Sequence, residues 1–158
     1  MKTHHYKVTI NWSGNLGTGT SGYTAYNRNH NLSADNKTEN IKLSSDPAFR
    51  GDASLYNPEE LLVASIASCH MLWYLHLCAD AGITVVAYKD LPEGFMEEGG
   101  TSPGKFVKVL LHPCVTIKQG GNSQQAIDLH HQANEKCFIA NSCNFPIEHE
   151  PEIIFEFI

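Results

Sequence analysis

The sequence predicts an α+β fold, built from antiparallel hairpins and two helices rather than a doubly wound sheet. Three observations carry this reading. Short runs rich in β-formers recur along the chain, several with strict alternation. Two segments of helical length, Asn57 to Ala81 and Ser123 to about Phe138, interrupt them. The resulting order, β-β-β-α-β-β-α-β, lacks the regular alternation of a parallel sheet.

Tyr6 to Trp12 alternates and reads as the first strand. Asn15 to Gly22 is a Gly/Thr/Ser turn, and Tyr23 to Arg28 reads as the returning strand. A polar loop through Asn36 and Lys37 leads to a short strand near Ile41 to Ser44. Ser45 to Tyr56, with Pro47 and Gly51, is irregular. The first helix has a strong start signal: Asn57 suits the N-cap, Pro58 the first helical position and Glu60 the capping-box acid. It should stop at Gly82. Ile83 to Lys89 reads as a strand, Glu93 to Gly104 as a Gly-rich connection, and Lys105 to Lys118 as one long strand. Pro113 within it implies an edge or a bulge. Gly120-Gly121 precedes the second helix, and Glu152 to Ile158 alternates as a last strand. With no repeat, linker or low-complexity tract, residues 1–158 read as one domain.

Hydrophobic residues make up 42% of the chain and charged residues 18%, a globular balance. A net charge of −6 with no clustered basic face argues against a nucleic-acid partner. Five cysteines at irregular spacing do not make a disulfide framework, and Met1 to Ile10 has no apolar stretch of signal-peptide length. The expected compartment is therefore the reducing cytosol. Leu61 to Ala79 carries no formal charge and nears the length of a membrane span. Its Ser65, Ser68, His70, Tyr74 and His76, and its acidic flanks, favour a buried helix instead. Such a helix needs protein on nearly every side, and a second subunit is a natural source of that cover.

Cys69 lies mid-helix beside His70. By itself a buried cysteine is commonly a small hydrophobe. Its surroundings say more. Asn57-Pro58-Glu59-Glu60-Leu61-Leu62, followed by Ala67-Ser68-Cys69, resembles the osmotically inducible protein C (OsmC) and organic hydroperoxide resistance (Ohr) family. A second match is Ala133-Asn134-Glu135-Lys136-Cys137, and Phe49-Arg50-Gly51-Asp52 is similar to the arginine loop of the OsmC branch. The resemblance extends over essentially the whole chain. It implies antiparallel sheets wrapped around two central helices in an intertwined homodimer.

The resemblance also implies an organic hydroperoxide reductase, a thiol peroxidase that needs no cofactor. Cys69 would attack the peroxide and become a sulfenic acid, and Cys137 would condense with it to a disulfide. A lipoyl-type or other small dithiol would reset the pair. Arg50 would hold Cys69 as thiolate and Glu59 would orient Arg50. An unperturbed thiol is only a few per cent ionised at neutral pH, and burial silences it further. A neighbouring guanidinium reverses this. An apolar pocket would favour bulky alkyl or fatty-acid hydroperoxides. Glu59 lies ten residues before Cys69, about 15 Å along one helix, so Glu59 and Arg50 would serve the other subunit's Cys69.

Alternatives remain within this frame. Cys137 is followed by Phe138 where many peroxidatic members carry Pro, and Cys143 is a rival resolving thiol. Arg28 rivals Arg50, because the Ohr branch places its arginine nearer the N-terminal strands. A non-catalytic protein binding a small hydrophobic ligand on the same fold is the alternative function. Gly17 to Gly22 spells a dinucleotide fingerprint, but strand-like residues follow where a helix is required. Cys69 and His76, with the second-helix histidines, are a weak metal set, because zinc wants three or four converging ligands. No metal is expected. His70 and His76 read as satisfied core or interface histidines, and His4, His5, His130 and His131 as surface residues.

Overall fold

Three short strands open the chain. β1 (Thr9–Trp12), β2 (His30–Ser33) and β3 (Ile41–Leu43) form an antiparallel sheet in the order β1-β2-β3. Thr9 pairs with Ser33, and Leu32 with Ile41. This computed structural model describes residues 1–101 and 103–157. Within it, Met1–Leu61 and Leu62–Ile158 form two compact units.

The strand returning to β1 is His30–Ser33, not Tyr23 to Arg28 as the sequence suggested. Arg28 supplies the reason. Its Nη1 donates to the Tyr26 carbonyl at 2.7 Å and its Nη2 to the Tyr23 carbonyl at 2.9 Å. The guanidinium sits 4.4 Å and 4.2 Å from the two tyrosine ring centroids. These contacts curl the segment, leaving an isolated bridge between Asn15 and Tyr26. The Gly-rich run before it is a turn tied by Asn15, whose Oδ1 accepts from the Gly17 and Gly19 amides. No helix follows, so it presents no phosphate-binding helix end.

α1 (Pro58–Asp80) starts as expected. The Asn57 side chain accepts from the Glu60 amide at 2.8 Å, and Glu60 Oε2 accepts from the Asn57 amide at 3.1 Å. The helix ends before Gly82, whose φ of 72° suits a residue without a Cβ.

Beyond α1 come β4 (Val85–Lys89), β5 (Glu93–Glu97), β6 (Lys105–Leu111), β7 (Cys114–Ile117), α2 (Ser123–Lys136), β8 (Ile147–His149) and β9 (Glu152–Phe155). They form two three-stranded sheets, β4-β7-β9 and β5-β6-β8. Each is mixed rather than antiparallel throughout, because β9 runs parallel to β7 and β8 parallel to β6. Glu93–Glu97 is a strand rather than a connection, pairing Glu93 with Leu110. Lys105 to Lys118 is two strands rather than one. Proline explains the division: Pro113 separates β6 from β7, Pro151 separates β8 from β9, and neither has an N–H to continue a ladder. Both strand pairs change sheets together, as Glu150 N donates to the Leu111 carbonyl and Glu152 N to that of Pro113.

α1 buries one stripe: Ile66, His70, Tyr74 and Cys78 recur every four residues, with Ala67 beside them. Its C-terminal half packs through Tyr74 and Cys78 on Val115 and Ile117 of β7 and on Ala126, Leu129 and Ala133 of α2. Its earlier turns pack through Ile66 and Ala67 on Val109 and Leu111 of β6. Leu62, Val63, Trp73, Leu75 and Leu77 are only partly covered, and Leu72 keeps 62% of its surface. The expectation of cover on nearly every side is therefore not met within one chain. By length and composition α1 is apolar enough to cross a membrane.

Candidate active site

Cys69 sits in the middle of α1, half-buried. Cys137 lies at the C-cap of α2 and is fully buried. The Cys69 thiol lies near enough to the Cys137 thiol to act on its ionisation. α2 makes this possible by ending at Lys136: the Cys137 backbone turns to an extended conformation while its amide still donates to the Asn134 carbonyl. The chain then folds back, and the Ala140 amide donates to Cys137 Sγ at 3.3 Å.

The Cys137 thiol is pushed up to about 11. Burial is the largest cause, and the hydrogen bond to Cys69 adds to it. A hydrogen bond that raises a thiol pKa is one in which that thiol keeps and donates its proton. The amides of Ala140 and Ile139 offset part of the effect. Cys137 therefore presents a protonated thiol to Cys69 at neutral pH.

The other cysteines lie elsewhere. Cys143 donates to the Ile139 carbonyl at 3.3 Å, within the apolar cluster of Phe145 and Ile147, and burial pushes its thiol up. Cys78 is in the core, where burial also raises its pKa. Cys114 opens β7, half-buried.

A shelf continues from Cys69 along its own helix face. Leu72, Trp73 and His76 lie three, four and seven residues on and line an open groove of about 250 Å³. Phe138, next to Cys137, meets Trp73 edge-on at 5.8 Å, and Lys136 Nζ lies 5.7 Å from the Trp73 ring.

Arg50 and Glu59 belong to the first unit, Cys69 and Cys137 to the second. Arg50 is exposed and ends the 3-10 turn Pro47–Phe49 in the left-handed region, at φ 65°. Gly51 follows it because an added Cβ would strike the Ser45 carbonyl. Glu59 Oε2 is buried and has no hydrogen-bond partner among the described residues, an oxygen suited to a cation. The donors of Arg28, by contrast, are engaged within its own turn.

His76 is exposed, with Nε2 3.5 Å from Asp80 and its ring edge-on to Trp73. Among the described residues no three His, Cys, Asp or Glu side chains are placed to hold a metal ion. Two histidines depart from expectation. His130 is fully buried rather than at the surface, and His70, though in the core, leaves Nδ1 without a partner. The helical spacing of Ala126, Leu129, His130 and Ala133 is the sequence signal that places His130 on the buried face.

No curated protein matches the sequence. Solved structures do match the fold. An OsmC-like protein of unknown function from Vibrio cholerae is 27% identical, with a TM-score of 0.82 over 94% of this chain and 99% of its own. An organic hydroperoxide resistance protein OsmC from Legionella pneumophila is 18% identical, with a TM-score of 0.67 over 96% and 99%. An organic hydroperoxide resistance protein from Elizabethkingia anophelis is 19% identical, with a TM-score of 0.68 over 99% and 100%. The profile of the family described as OsmC-like protein matches residues 51–152, from the residue after Arg50 to the start of β9, and the chain belongs to that family.

Proposed function

We propose that this protein reduces organic hydroperoxides through a two-cysteine cycle. The contact between Cys69 and Cys137 carries the reading. The half-exposed Cys69 is the thiol a substrate can reach. Its thiolate attacks the terminal peroxide oxygen, the O–O bond breaks, and the departing alkoxide takes a proton to become an alcohol. Cys69 becomes a sulfenic acid. The Cys137 sulfur then attacks it, its proton leaves with the hydroxyl as water, and a disulfide forms. An external dithiol returns both thiols. The shelf of Leu72, Trp73 and Phe138 favours an alkyl or fatty-acid peroxide over hydrogen peroxide.

The site is completed in a homodimer. α1 leaves Leu72 exposed between Ser68 and His76, and Glu59 carries a buried, unpartnered carboxylate oxygen. In this reading Arg50, oriented by Glu59, serves the Cys69 of a second subunit, in the cytosol. Thiol mapping after one equivalent of cumene hydroperoxide tests the cycle. A rapid Cys69–Cys137 disulfide, lost in Cys69→Ser, is expected. A Cys69–Cys143 disulfide would move the resolving role, and an unreacted Cys69 would leave the family fold without this activity.

A further inference from the structure

The thiol cycle does not use the histidines that meet beside it. His70 comes from α1, His130 and His131 from α2, and His149 from β8. His70 and His130 are 1% and 0% exposed. His70 Nε2 lies 2.9 Å from His130 Nδ1, with the rings 9° from parallel, so one N–H···N bond joins the two helices. Tyr74 stacks on His130 at 3.8 Å. His149 lies 5.6 Å from His70 and 6.0 Å from His130, ring to ring, and His131 meets His149 edge-on at 4.7 Å.

In a neutral pair one imidazole donates and the other accepts. The remaining nitrogens, Nδ1 of His70 and Nε2 of His130, are buried without partners among the described residues, as is Nδ1 of His149. Among the described residues, no carboxylate is hydrogen-bonded or paired with His70, His130 or His149. Tyr74 and, behind it, Tyr88 of β4 are held un-ionised by burial. Asp90, beyond Tyr88, accepts from the His112 amide through Oδ1, keeps Oδ2 buried without a partner among the described residues, and is itself pushed toward its neutral form by burial. On α2, Asp128 is engaged with Gln124, and Asn134 is uncharged. On β8, Glu148 and Glu150 flank His149 but pair with Lys108 and His112. The charges that act on His70 and His130 are those of other histidines. A proton taken up here has no counter-ion, and a second would set N–H against N–H.

We propose that His70, His130 and His149 form a proton-sensitive clasp, which holds α2 on α1 while the imidazoles are neutral and releases it when they are protonated. The two helices that the clasp joins also bear the thiols. Cys69 immediately precedes His70, and Cys137 follows His130 by seven residues, about 10 Å along α2. Release therefore parts Cys137 from Cys69, and acid disarms the pair. Only this consequence rests on the peroxidase reading.

Burial and mutual repulsion hold His70 at about 4 and His130 at about 3, below the ordinary 6.5. The released state, with ordinary imidazoles, binds more protons. The clasp is thus fully closed above pH 6.5 and weakens as pH falls toward 4 and 3.

Trp73 is a built-in reporter, because its ring touches Phe138 and faces Lys136 at the end of α2. The experiment titrates the reduced Trp12→Phe protein from pH 7.5 to 3, following Trp73 fluorescence and the imidazole proton resonances. One steep step below pH 6, taking up two or more protons and tracked by His70 and His130, is expected. His130→Gln should lower the midpoint by at least half a pH unit and the uptake by about one proton. Imidazoles that titrate singly near 6.5 with Trp73 unmoved would overturn the clasp, as would an unchanged step in His130→Gln. If that variant does not fold, the resonances of the parent protein decide. The same titration in Cys69→Ser keeps the two readings apart: the clasp predicts an unchanged step there, whatever the peroxide assay finds.

Discussion

At the scale of single residues, Cys69 and Cys137 differ by environment rather than by chemistry. Both are thiols, but one is half-exposed and the other fully buried with its proton committed. A raised pKa means that the folded protein favours the thiol form. Its contribution to stability is present below the ordinary thiol range and is lost as pH rises through about 11. Iodoacetamide at pH 7.5 should therefore modify Cys69 and spare Cys137, which peptide mass mapping reads directly. Equal labelling of the two would contradict the assigned environments. Tyr74 gives a second prediction. It is fully buried and stacked on His130, so Tyr74→Ala should cost about 3–5 kcal/mol in urea denaturation. Tyr74→Phe should change stability far less, since the hydroxyl's neighbour is the Cys78 sulfur, a weak partner.

At the scale of elements, α1 depends on its first turn. Both capping contacts of Asn57 form between residues three apart, so Asn57→Ala removes the side-chain half of the box. The expected loss is about 1 kcal/mol, measured as a shift in the urea midpoint with an unchanged slope. Gly94 tests the fit of β5 on α1. A Cβ there would lie 2.5 Å from Val63 Cγ2 and 2.8 Å from Phe106 Cε1. Gly94→Ala should therefore destabilise by about 1–3 kcal/mol, a value that calorimetry on the folded protein can check. The capping box is legible in sequence because it is local. Strand partners are not: β5 reads as a Gly-rich connection until Glu93 finds Leu110 across the sheet.

At the scale of the whole molecule, two quantities follow. The first is acid stability. His70, His130 and His149 are all held low by burial, so the unfolded chain binds more protons as pH falls below 6.5. Asp90 works the other way, since burial raises its carboxyl, but it stands against three imidazoles. The urea midpoint should accordingly drop steadily between pH 7 and pH 4.5. The second is association. An apolar helix with Leu72 exposed beside a half-buried Trp73 calls for a partner, and sedimentation at micromolar concentration should find a dimer. A monomer would remove the shared-site reading of Arg50 and Glu59.

The sequence by itself determined the α+β class, both helices, the capping of α1 and the family, because these depend on local spacing and short motifs. It also marked Cys69 and Cys137 as candidates. Only the tertiary structure decided that their thiols are neighbours, since they come from two helices far apart in the chain. It also decided that Pro113 and Pro151 divert two strand pairs between sheets, and that Arg28 is occupied by its own tyrosines. The histidines show the same division. A periodic position can place His130 on a buried face, but only the packing of α1, α2 and β8 brings it to His70 and His149 and leaves their nitrogens without partners.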